Sequence, residues 1–373
     1  MVSTAFSMAA LAVVALAAPA PAPASHDVKS VPFPLYQLSK RDVSYNTSLP
    51  NVTIYATGGT IAGSASSNTA TTGYTAGALG VDILIDAVPS LANVSNVKGV
   101  QVANVGSESI TPEILLNITQ QIQAELDDPY VQGVVVTHGT DTLEETAFFL
   151  DATVNSTKPV VVVGAMRPAT AISADGPINL LEAVTLAGSP SAEGRGALIV
   201  LNDRIASAYY ATKTNANALD TFKAYEAGFL GVFIDVKPIF YYPASTPAGK
   251  RVFDVAGAAE LPRVEVLYGY QGLGAGLARA AVEQGARGLV LAGMGAGGWT
   301  DEGLEVLAGL VAGNGTQVVV SRRTMDGYVE PTGTDGMYGG GFLNPQKARI
   351  LLQLAINAGY SSEEMRALFE YDG

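Results

Sequence analysis

The sequence contains no cysteine and only two histidines, His26 and His138. Without cysteine the chain has no disulfide scaffold, no thiol nucleophile and no Cys-based zinc site. The scarcity of histidine argues in the same way against a His-rich catalytic metal site. We therefore predict that the protein has no catalytic metal site.

Charged residues are also few, and basic ones are the scarcest. They make up 15% of the 373 residues, against 48% hydrophobic residues, which excludes a disordered chain or a solvated coil. The formal net charge is −13 and no basic cluster is present, so a nucleic-acid partner is not expected. No apolar stretch beyond the N-terminal region is long enough for a membrane helix. An acidic protein that acts on a small molecule is the better expectation.

The N-terminal residues have the pattern of an export leader. An apolar core too short to span a bilayer is followed by small residues, which predicts a signal peptide over 1–25. Residues 26–48 are then a prosegment or flexible extension, in which Lys40-Arg41 is either a processing site or an accidental pair. Together with the leader, six Asn-x-Ser/Thr sequons favour a eukaryotic secretory route, a secreted or cell-wall (periplasmic-type) location and partial glycosylation. They begin at Asn46, Asn51, Asn93, Asn117, Asn155 and Asn314.

Short apolar strands alternate with amphipathic helical segments from about Asn51 onward. Strands such as 160–163 are apolar on both faces, as buried parallel strands are. The alternation predicts an α/β fold with two α/β domains and largely parallel sheets. We assign the larger N-terminal domain to 49–243, a Pro- and Gly-rich linker to 244–263 and the smaller C-terminal domain to 264–373.

Two threonine-bearing turns follow predicted buried strands. The first is Thr57-Gly-Gly-Thr60-Ile-Ala-Gly63, and the second is Thr137-His-Gly-Thr140-Asp141-Thr142-Leu-Glu-Glu145. Glycines before Thr60 allow a sharp turn and leave backbone amides near a developing oxyanion. Two hydroxyls delivered at strand ends, one of them beside a carboxylate, indicate a site that attacks a carbonyl group.

Each residue of these turns also has a structural explanation. A threonine placed like Thr60 is more often a helix N-cap, and as a nucleophile it needs a base. Thr142 and Glu145 fit a capping box, which leaves Asp141 to bind an ammonium group or orient a base. His138 is more often a hydrogen-bonded structural residue than a base.

Three further segments have alternatives of the same kind. Lys213 is a candidate base, because burial disfavours the charged form of a lysine, but its spacing alone is that of a surface residue. The stretch 64–80, which carries Tyr74, is either a mobile lid or, more often, a variable surface loop. The glycines of Gly272-Leu-Gly274-Ala-Gly276 fit a tight turn better than a dinucleotide fingerprint.

Taken together, the two turns resemble the bacterial-type L-asparaginase family, specifically its secreted type II branch. Three supporting blocks look like further family signatures: Gly164-Ala-Met-Arg167-Pro, Ser173-Ala-Asp175-Gly-Pro-Ile-Asn179 and Leu343-Asn-Pro-Gln-Lys-Ala-Arg349. The resemblance extends from about Leu49 to the C-terminus. It implies hydrolysis of the side-chain amide of L-asparagine to L-aspartate and ammonia, without a cofactor.

The resemblance also implies catalytic roles for individual residues. Thr60 would be the nucleophile that forms a covalent acyl-enzyme, with Tyr74 assisting it. Thr140, Asp141 and Lys213 would form a second cluster. In that cluster Thr140 would position the water or the amide, and Lys213 would tune the proton transfer.

Substrate binding and assembly follow from the same resemblance. Ser107 would bind the substrate carboxylate, and Asp141 would bind its ammonium. The family's usual homotetramer of close dimers would add a carboxylate from a partner subunit, for which Glu330 is the candidate. Ala296 stands where family members often carry a polar residue, so the preference between asparagine and glutamine stays open. The alternatives are a glutaminase-asparaginase, a non-catalytic two-domain amino-acid-binding protein and, more weakly, a nucleotide-dependent oxidoreductase.

Overall fold

The computed structural model describes residues 45–63, 77 and 79–370, which fold into alternating strands and helices. The strands are β1 (Asn51–Gly58), β2 (Asn96–Val105), β3 (Gly133–Thr137), β4 (Val160–Val163), β5 (Ala197–Leu201), β6 (Arg204–Ser207), β7 (Thr212–Lys213), β8 (Phe222–Lys223), β9 (Gly231–Ile234), β10 (Lys237–Phe240), β11 (Val264–Tyr268), β12 (Gly288–Gly293), β13 (Gln317–Arg322) and β14 (Met337–Gly339). The α-helices are α1 (Val81–Asp86), α2 (Pro112–Asp127), α3 (Leu143–Thr153), α4 (Gly176–Ala187), α5 (Gly276–Glu283), α6 (Asp301–Asn314), α7 (Pro345–Asn357) and α8 (Ser362–Phe369). Among these described residues, no helix combines the length and the apolar character that crossing a bilayer requires.

The larger sheet has eight strands in the order β10-β9-β6-β5-β4-β3-β1-β2. The strands from β2 to β5 pair in parallel, whereas the pairs from β5 to β10 are antiparallel. Helix α4 packs on one face through Leu180 and Val184, and α2 and α3 pack on the other through Ile122 and Leu150. The parallel strands are therefore buried on both faces, as their continuous apolar runs predict.

The smaller sheet is parallel throughout, in the order β11-β12-β13-β14. Helix α7 covers one face, where Leu351 packs with Val290 of β12, and α6 covers the other with Leu307 against Leu289. The prediction of an α/β fold with two largely parallel sheets, the larger one N-terminal, is confirmed.

Helix α7 packs against both the helices of the larger domain and the smaller sheet. Its apolar face shares one core with Leu116 of α2, Phe148 of α3 and the smaller sheet. Asn344 caps its N-terminus by accepting a 3.0 Å hydrogen bond from the backbone N–H of Lys347, and a proline occupies its first turn. Because one core is shared, the start of α7 is held against the larger domain.

The predicted linker, 244–263, contains neither strand nor helix. It is fastened to the larger domain by an ion pair of 2.6 Å between Lys250 and the buried Asp151. All described residues lie in one compact unit, so the domain boundaries stay a prediction. The predicted signal peptide, 1–25, and most of the extension, 26–48, lie outside the described residues.

Candidate active site

The two threonine turns lie where the strand order of the larger sheet reverses. Strand β1 is flanked by β2 and β3, and β4 and β5 follow on the β3 side. In open parallel sheets with this order, ligands bind in the crevice beyond the carboxyl ends of the strands at the reversal. Strand β1 ends at Gly58 and β3 ends at Thr137, so both turns begin at this crevice.

The turns are in direct contact through two glycines. A Cβ atom on Gly59 would lie 2.2 Å from both the Cα and the N of Gly139. A Cβ atom on Gly139 would in turn lie 2.8 Å from the Oγ of Ser107, which follows β2. Gly59 directly precedes Thr60, and Gly139 directly precedes Thr140. The close approach of the backbones therefore brings the loops after β1, β2 and β3 to one place.

We expect Gly59→Ala to destabilise the protein by about 2–5 kcal/mol, which combines overpacking against Gly139 with left-handed backbone strain. Gly59 has a φ of +78°, which alanine rarely adopts, and its missing Cβ has no room. Urea unfolding followed by circular dichroism measures the change. Gly309→Ala is the matched control, since its Cβ would meet nothing within 4 Å and it lies within a helix. Equal unfolding midpoints for the two variants would contradict the tight contact.

Thr60 is buried and opens a short 3-10 turn, Thr60–Ala62. The N-cap position of this turn is Gly59, not Thr60. The N-cap explanation for Thr60 therefore does not describe this turn. Its place directly after Gly59 and at the carboxyl end of β1 suits a side chain that reacts with a ligand in the crevice.

Lys213 joins the second turn from far along the chain. Its Nζ donates a 3.0 Å hydrogen bond to the Oγ1 of Thr140 and forms a 2.6 Å ion pair with the Oδ1 of Asp141. The lysine side chain is 15% exposed and the aspartate side chain 70%, so the carboxylate can also meet a ligand from solvent. The predicted cluster of Thr140, Asp141 and Lys213 is thus assembled in the structure. An amine this close to a hydroxyl can orient it and exchange a proton with it.

The capping box predicted for Thr142 and Glu145 is wrong. Thr142 occupies the N-cap position of α3, but its side chain makes no capping hydrogen bond. Its Oγ1 instead donates a 2.8 Å hydrogen bond to the backbone carbonyl of Ser107. Glu145 forms a 3.5 Å ion pair with Arg349 of α7. Thr142 therefore ties the second turn to the loop after β2, which adds a second link between these two loops.

His138 is a structural residue, as predicted. It is fully buried, its Nδ1 lies 2.7 Å from the carbonyl oxygen of Gly139, and its Nε2 lies 2.8 Å from the Oγ1 of Thr146. Because a carbonyl only accepts, Nδ1 carries the proton and Nε2 accepts from the threonine. Burial lowers the pKa of His138 to about 4, so the ring is neutral at pH 7.

Two of the supporting sequence blocks, 164–168 and 173–179, follow β4 and pack against the second turn. The carboxylate of Asp175 accepts hydrogen bonds of 2.9 Å from the backbone N–H groups of Met166 and Arg167. Asn179 donates a 3.0 Å hydrogen bond to the carbonyl of Gly164. A Cβ atom on Gly164 would lie 3.0 Å from the Cγ2 of Thr140, so this loop packs directly against the threonine.

Of the other predicted site residues, Ser107 lies at the crevice and Glu330 lies on the smaller domain. Ser107 is buried at the crevice, beside Gly139. Glu330 is exposed on the smaller domain, where its backbone carbonyl lies against Gly339. Tyr74 lies outside the described residues. Within residues 45–63, 77 and 79–370, no group of three or more Asp, Glu or His side chains is arranged to hold a metal ion.

Reasoning from the sequence missed one buried carboxylate behind Lys213. Glu144, in the first turn of α3, accepts a hydrogen bond from the backbone N–H of Lys213 through Oε2. Its Oε1 accepts from the side-chain amides of Asn344, at 3.3 Å, and Gln346. The available signal was its place within the second turn motif, only three residues after Asp141.

Comparison with known families covers nearly all of the described chain. The family model described as "Asparaginase, N-terminal" matches residues 51–246. The model described as "Glutaminase/Asparaginase C-terminal domain" matches residues 263–369. These two ranges contain the larger and the smaller sheet, respectively.

Individual proteins are similar over the same length. "Probable L-asparaginase 1" of Schizosaccharomyces pombe is 60% identical over 333 residues, which are 88% of this chain and 91% of that protein. "L-asparaginase 2" of Bacillus subtilis is 48% identical over 338 residues, 89% of each chain. The crystal structure of the probable cytoplasmic L-asparaginase from Campylobacter jejuni is 42% identical, with a TM-score of 0.82, and the match covers 86% of this chain and 99% of that one.

The last comparison corrects the predicted location. A secreted or cell-wall protein was expected from the leader and the sequons, but the matched crystal structure is of a protein named a probable cytoplasmic L-asparaginase. The predicted leader, 1–25, lies outside the described part of the chain. The prediction of secretion is therefore wrong, and glycosylation of the sequons stays untested.

The family assignment does not depend on the leader. Both halves of the family are matched in order from residue 51 to residue 369. Relatives from a yeast and a bacterium share 48–60% of their residues with the chain over at least 88% of its length. The chain belongs to the asparaginase family.

Proposed function

We propose that this chain hydrolyses the side-chain amide of L-asparagine to L-aspartate and ammonia through an acyl-enzyme formed on Thr60. The observation that carries the proposal is the contact of the two threonine turns through Gly59 and Gly139. The hydrogen bond from Lys213 to Thr140 supports it, because it puts a proton-transfer group at the same crevice. Relatives named L-asparaginases, matched over most of the chain, support asparagine as the substrate.

In the first half of the reaction, the Thr60 hydroxyl attacks the side-chain carbonyl carbon. A C–O bond forms, the C–N bond breaks, and the proton lost by the hydroxyl is delivered to the departing ammonia. An amide is a poor electrophile, so the nucleophile must be held close and its proton removed during attack. We assign the assisting hydroxyl to Tyr74, in keeping with the resemblance.

In the second half, water attacks the acyl carbon and releases aspartate from Thr60. Thr140 orients the water, and Lys213, whose Nζ donates to the Oγ1 of Thr140 at 3.0 Å, governs the proton transfer. We assign the substrate ammonium to Asp141, whose carboxylate is mostly exposed, and the substrate carboxylate to Ser107. Contacts with both charged ends of the amino acid fix the reacting bond relative to Thr60.

We also propose that the active form is a homotetramer of close dimers in which Glu330 reaches a partner's site. Its exposure on the smaller domain leaves its carboxylate available to another chain. Light scattering of the purified protein tests the assembly, and a mass of one chain would contradict it.

A coupled ammonia assay with asparagine and glutamine side by side tests the proposed function. We expect kcat/KM for asparagine to exceed that for glutamine, because one additional methylene moves the amide away from Thr60 in a fixed site, at a cost of about 1–3 kcal/mol. Comparable values would instead identify a glutaminase-asparaginase, as the description of the C-terminal family model allows. No ammonia from either amide would leave a non-catalytic amino-acid-binding protein and overturn the proposal.

A further inference from the structure

Lys213 is held at two points by one short stretch of chain. Its Nζ contacts Thr140 and Asp141, and its backbone N–H donates to Glu144. Glu144 follows Asp141 by three residues, where the second turn becomes α3. The turn, the first turn of α3 and Lys213 therefore form a closed ring of hydrogen bonds.

Lys213 depends on such outside support because its own strand is short. Strand β7 has two residues, Thr212 and Lys213, and pairs with β8 in a two-stranded ribbon apart from the larger sheet. Isolated two-stranded ribbons are marginally stable at best. The position of the Lys213 side chain therefore depends on the hydrogen bonds of its backbone. The Lys213 N–H donates directly to Glu144.

The start of α7 completes the arrangement from the other domain. The side-chain amides of Asn344 and Gln346 donate to the Oε1 of Glu144, while Oε2 receives the Lys213 N–H. Asn344 also lies 3.3 Å from the Oγ1 of Thr212. One buried carboxylate thus receives hydrogen bonds from both the ribbon and α7.

Lys347 anchors the preceding residues of the same segment. Its buried Nζ donates to the backbone carbonyls of Ala208, Tyr209 and Ala211 at 2.9, 3.0 and 2.6 Å. Burial lowers the pKa of Lys347 to about 8, an effect opposed by the negative charge of Glu144. Residues 208–212, which lead into Lys213, are therefore held at one end by Lys347 and at the other by Asn344.

Only a carboxylate at position 144 can accept all of these hydrogen bonds. Both of its oxygens accept, and every partner is an N–H donor. A glutamine would keep one accepting oxygen and turn an NH₂ group toward a donor on the other side. A buried donor would then be left without an acceptor, and the structure would have to shift to relieve it.

We propose that Glu144 is a positioning residue that fixes the Nζ of Lys213 on Thr140 and Asp141, and that the start of α7 acts on the site through it. The effect of Glu144 on turnover rests on the proposed function, whereas its effect on the position of Lys213 does not. Either effect can therefore be refuted while the other holds.

The test compares Glu144→Gln with Glu145→Gln. Both residues lie in the first turn of α3 and both contact α7, but only Glu144 contacts Lys213. We expect Glu144→Gln to lower kcat for asparagine by about 10- to 100-fold, the effect of a displaced proton-transfer group, with a smaller change in KM. Glu145→Gln should stay within about twofold, because Glu145 contacts Arg349 and not Lys213, and a glutamine can still accept from Arg349.

A second measurement, the labelling rate of the Lys213 amine, reports the position of this side chain and does not depend on turnover. Acetic anhydride labels lysine amines, and mass spectrometry gives the rate for each lysine. We expect Lys213 to be labelled at least about threefold faster in Glu144→Gln than in Glu145→Gln, because a released side chain is more open to solvent. Equal labelling rates overturn the proposal, whether or not the wild-type protein releases ammonia. Absence of ammonia from the wild type with faster labelling refutes the proposed function alone.

Gln346→Leu keeps the proposal testable if Glu144→Gln fails to fold. Gln346 is only partly buried, and the change removes one donor to Glu144 from the side of α7. We expect an intermediate loss in kcat, about 3- to 10-fold, and faster labelling of Lys213. An unchanged kcat and an unchanged labelling rate in this variant would show that α7 does not act through Glu144.

Discussion

Thr60→Val is expected to lower ammonia release from asparagine by about 10⁴-fold or more, the scale on which loss of a nucleophile acts. Valine has nearly the shape of threonine but carries no hydroxyl, so no acyl-enzyme can form. The loop that carries residue 60 is fixed by the contact of Gly59 with Gly139, which the substitution does not touch. The coupled ammonia assay at saturating asparagine measures the effect.

Thr60→Ser is the matched variant, because it keeps a hydroxyl at the same position. We expect it to retain measurable turnover, and we expect both variants to unfold within about 1.5 kcal/mol of the wild type, the net worth of one hydrogen bond. A Thr60→Val variant with wild-type activity would remove Thr60 from the mechanism.

Lys213→Met is expected to lower kcat by about 10²- to 10⁴-fold, the usual contribution of a positioned proton-transfer group. Methionine has an unbranched chain of similar reach but cannot donate to Thr140 or pair with Asp141. Binding of substrate through Ser107 should persist, so KM is expected to change less than kcat. Steady-state kinetics on asparagine separate the two parameters.

Lys223→Met is the control for this variant. Lys223 lies on β8, the other strand of the same ribbon, and its ion pair is with Asp220 on the surface. Exposed ion pairs of this kind contribute about 0–1 kcal/mol, so kcat should be nearly unchanged. Equal losses of kcat in the two lysine variants would mean that the ribbon as a whole, not the Lys213 amine, affects turnover.

The fold and the meeting of the two turns were predictable because they depend on local patterns. Continuous apolar runs such as Val160–Val163 indicate strands buried on both faces, and alternation with helices implies parallel pairing. Parallel strands present their carboxyl ends at one edge, so Thr60 and Thr140, each just after such a strand, lie at the same edge. The caps of α7 at Asn344 and Pro345 could likewise be recognised from adjacent residues.

The partners of the second turn were not predictable from local patterns, because they are tertiary. Spacing alone gave Lys213 the character of a surface residue, and only the family resemblance grouped it with Thr140, 73 residues away. The capping box failed for the same reason, since the Thr142 hydroxyl donates to the backbone carbonyl of Ser107 and accepts no hydrogen bond from the first turn of α3. Glu144 was missed because its donors come from segments about 70 and 200 residues away.

Capture of the covalent intermediate tests the central claim most directly. The protein is mixed briefly with asparagine, quenched at low pH, digested and analysed by mass spectrometry. We predict a β-aspartyl group on the peptide that contains Thr60, and none in Thr60→Val treated identically. An aspartyl group on Thr140, or turnover with no modified peptide in repeated rapid-quench samples, would contradict the assignment of Thr60 as the nucleophile.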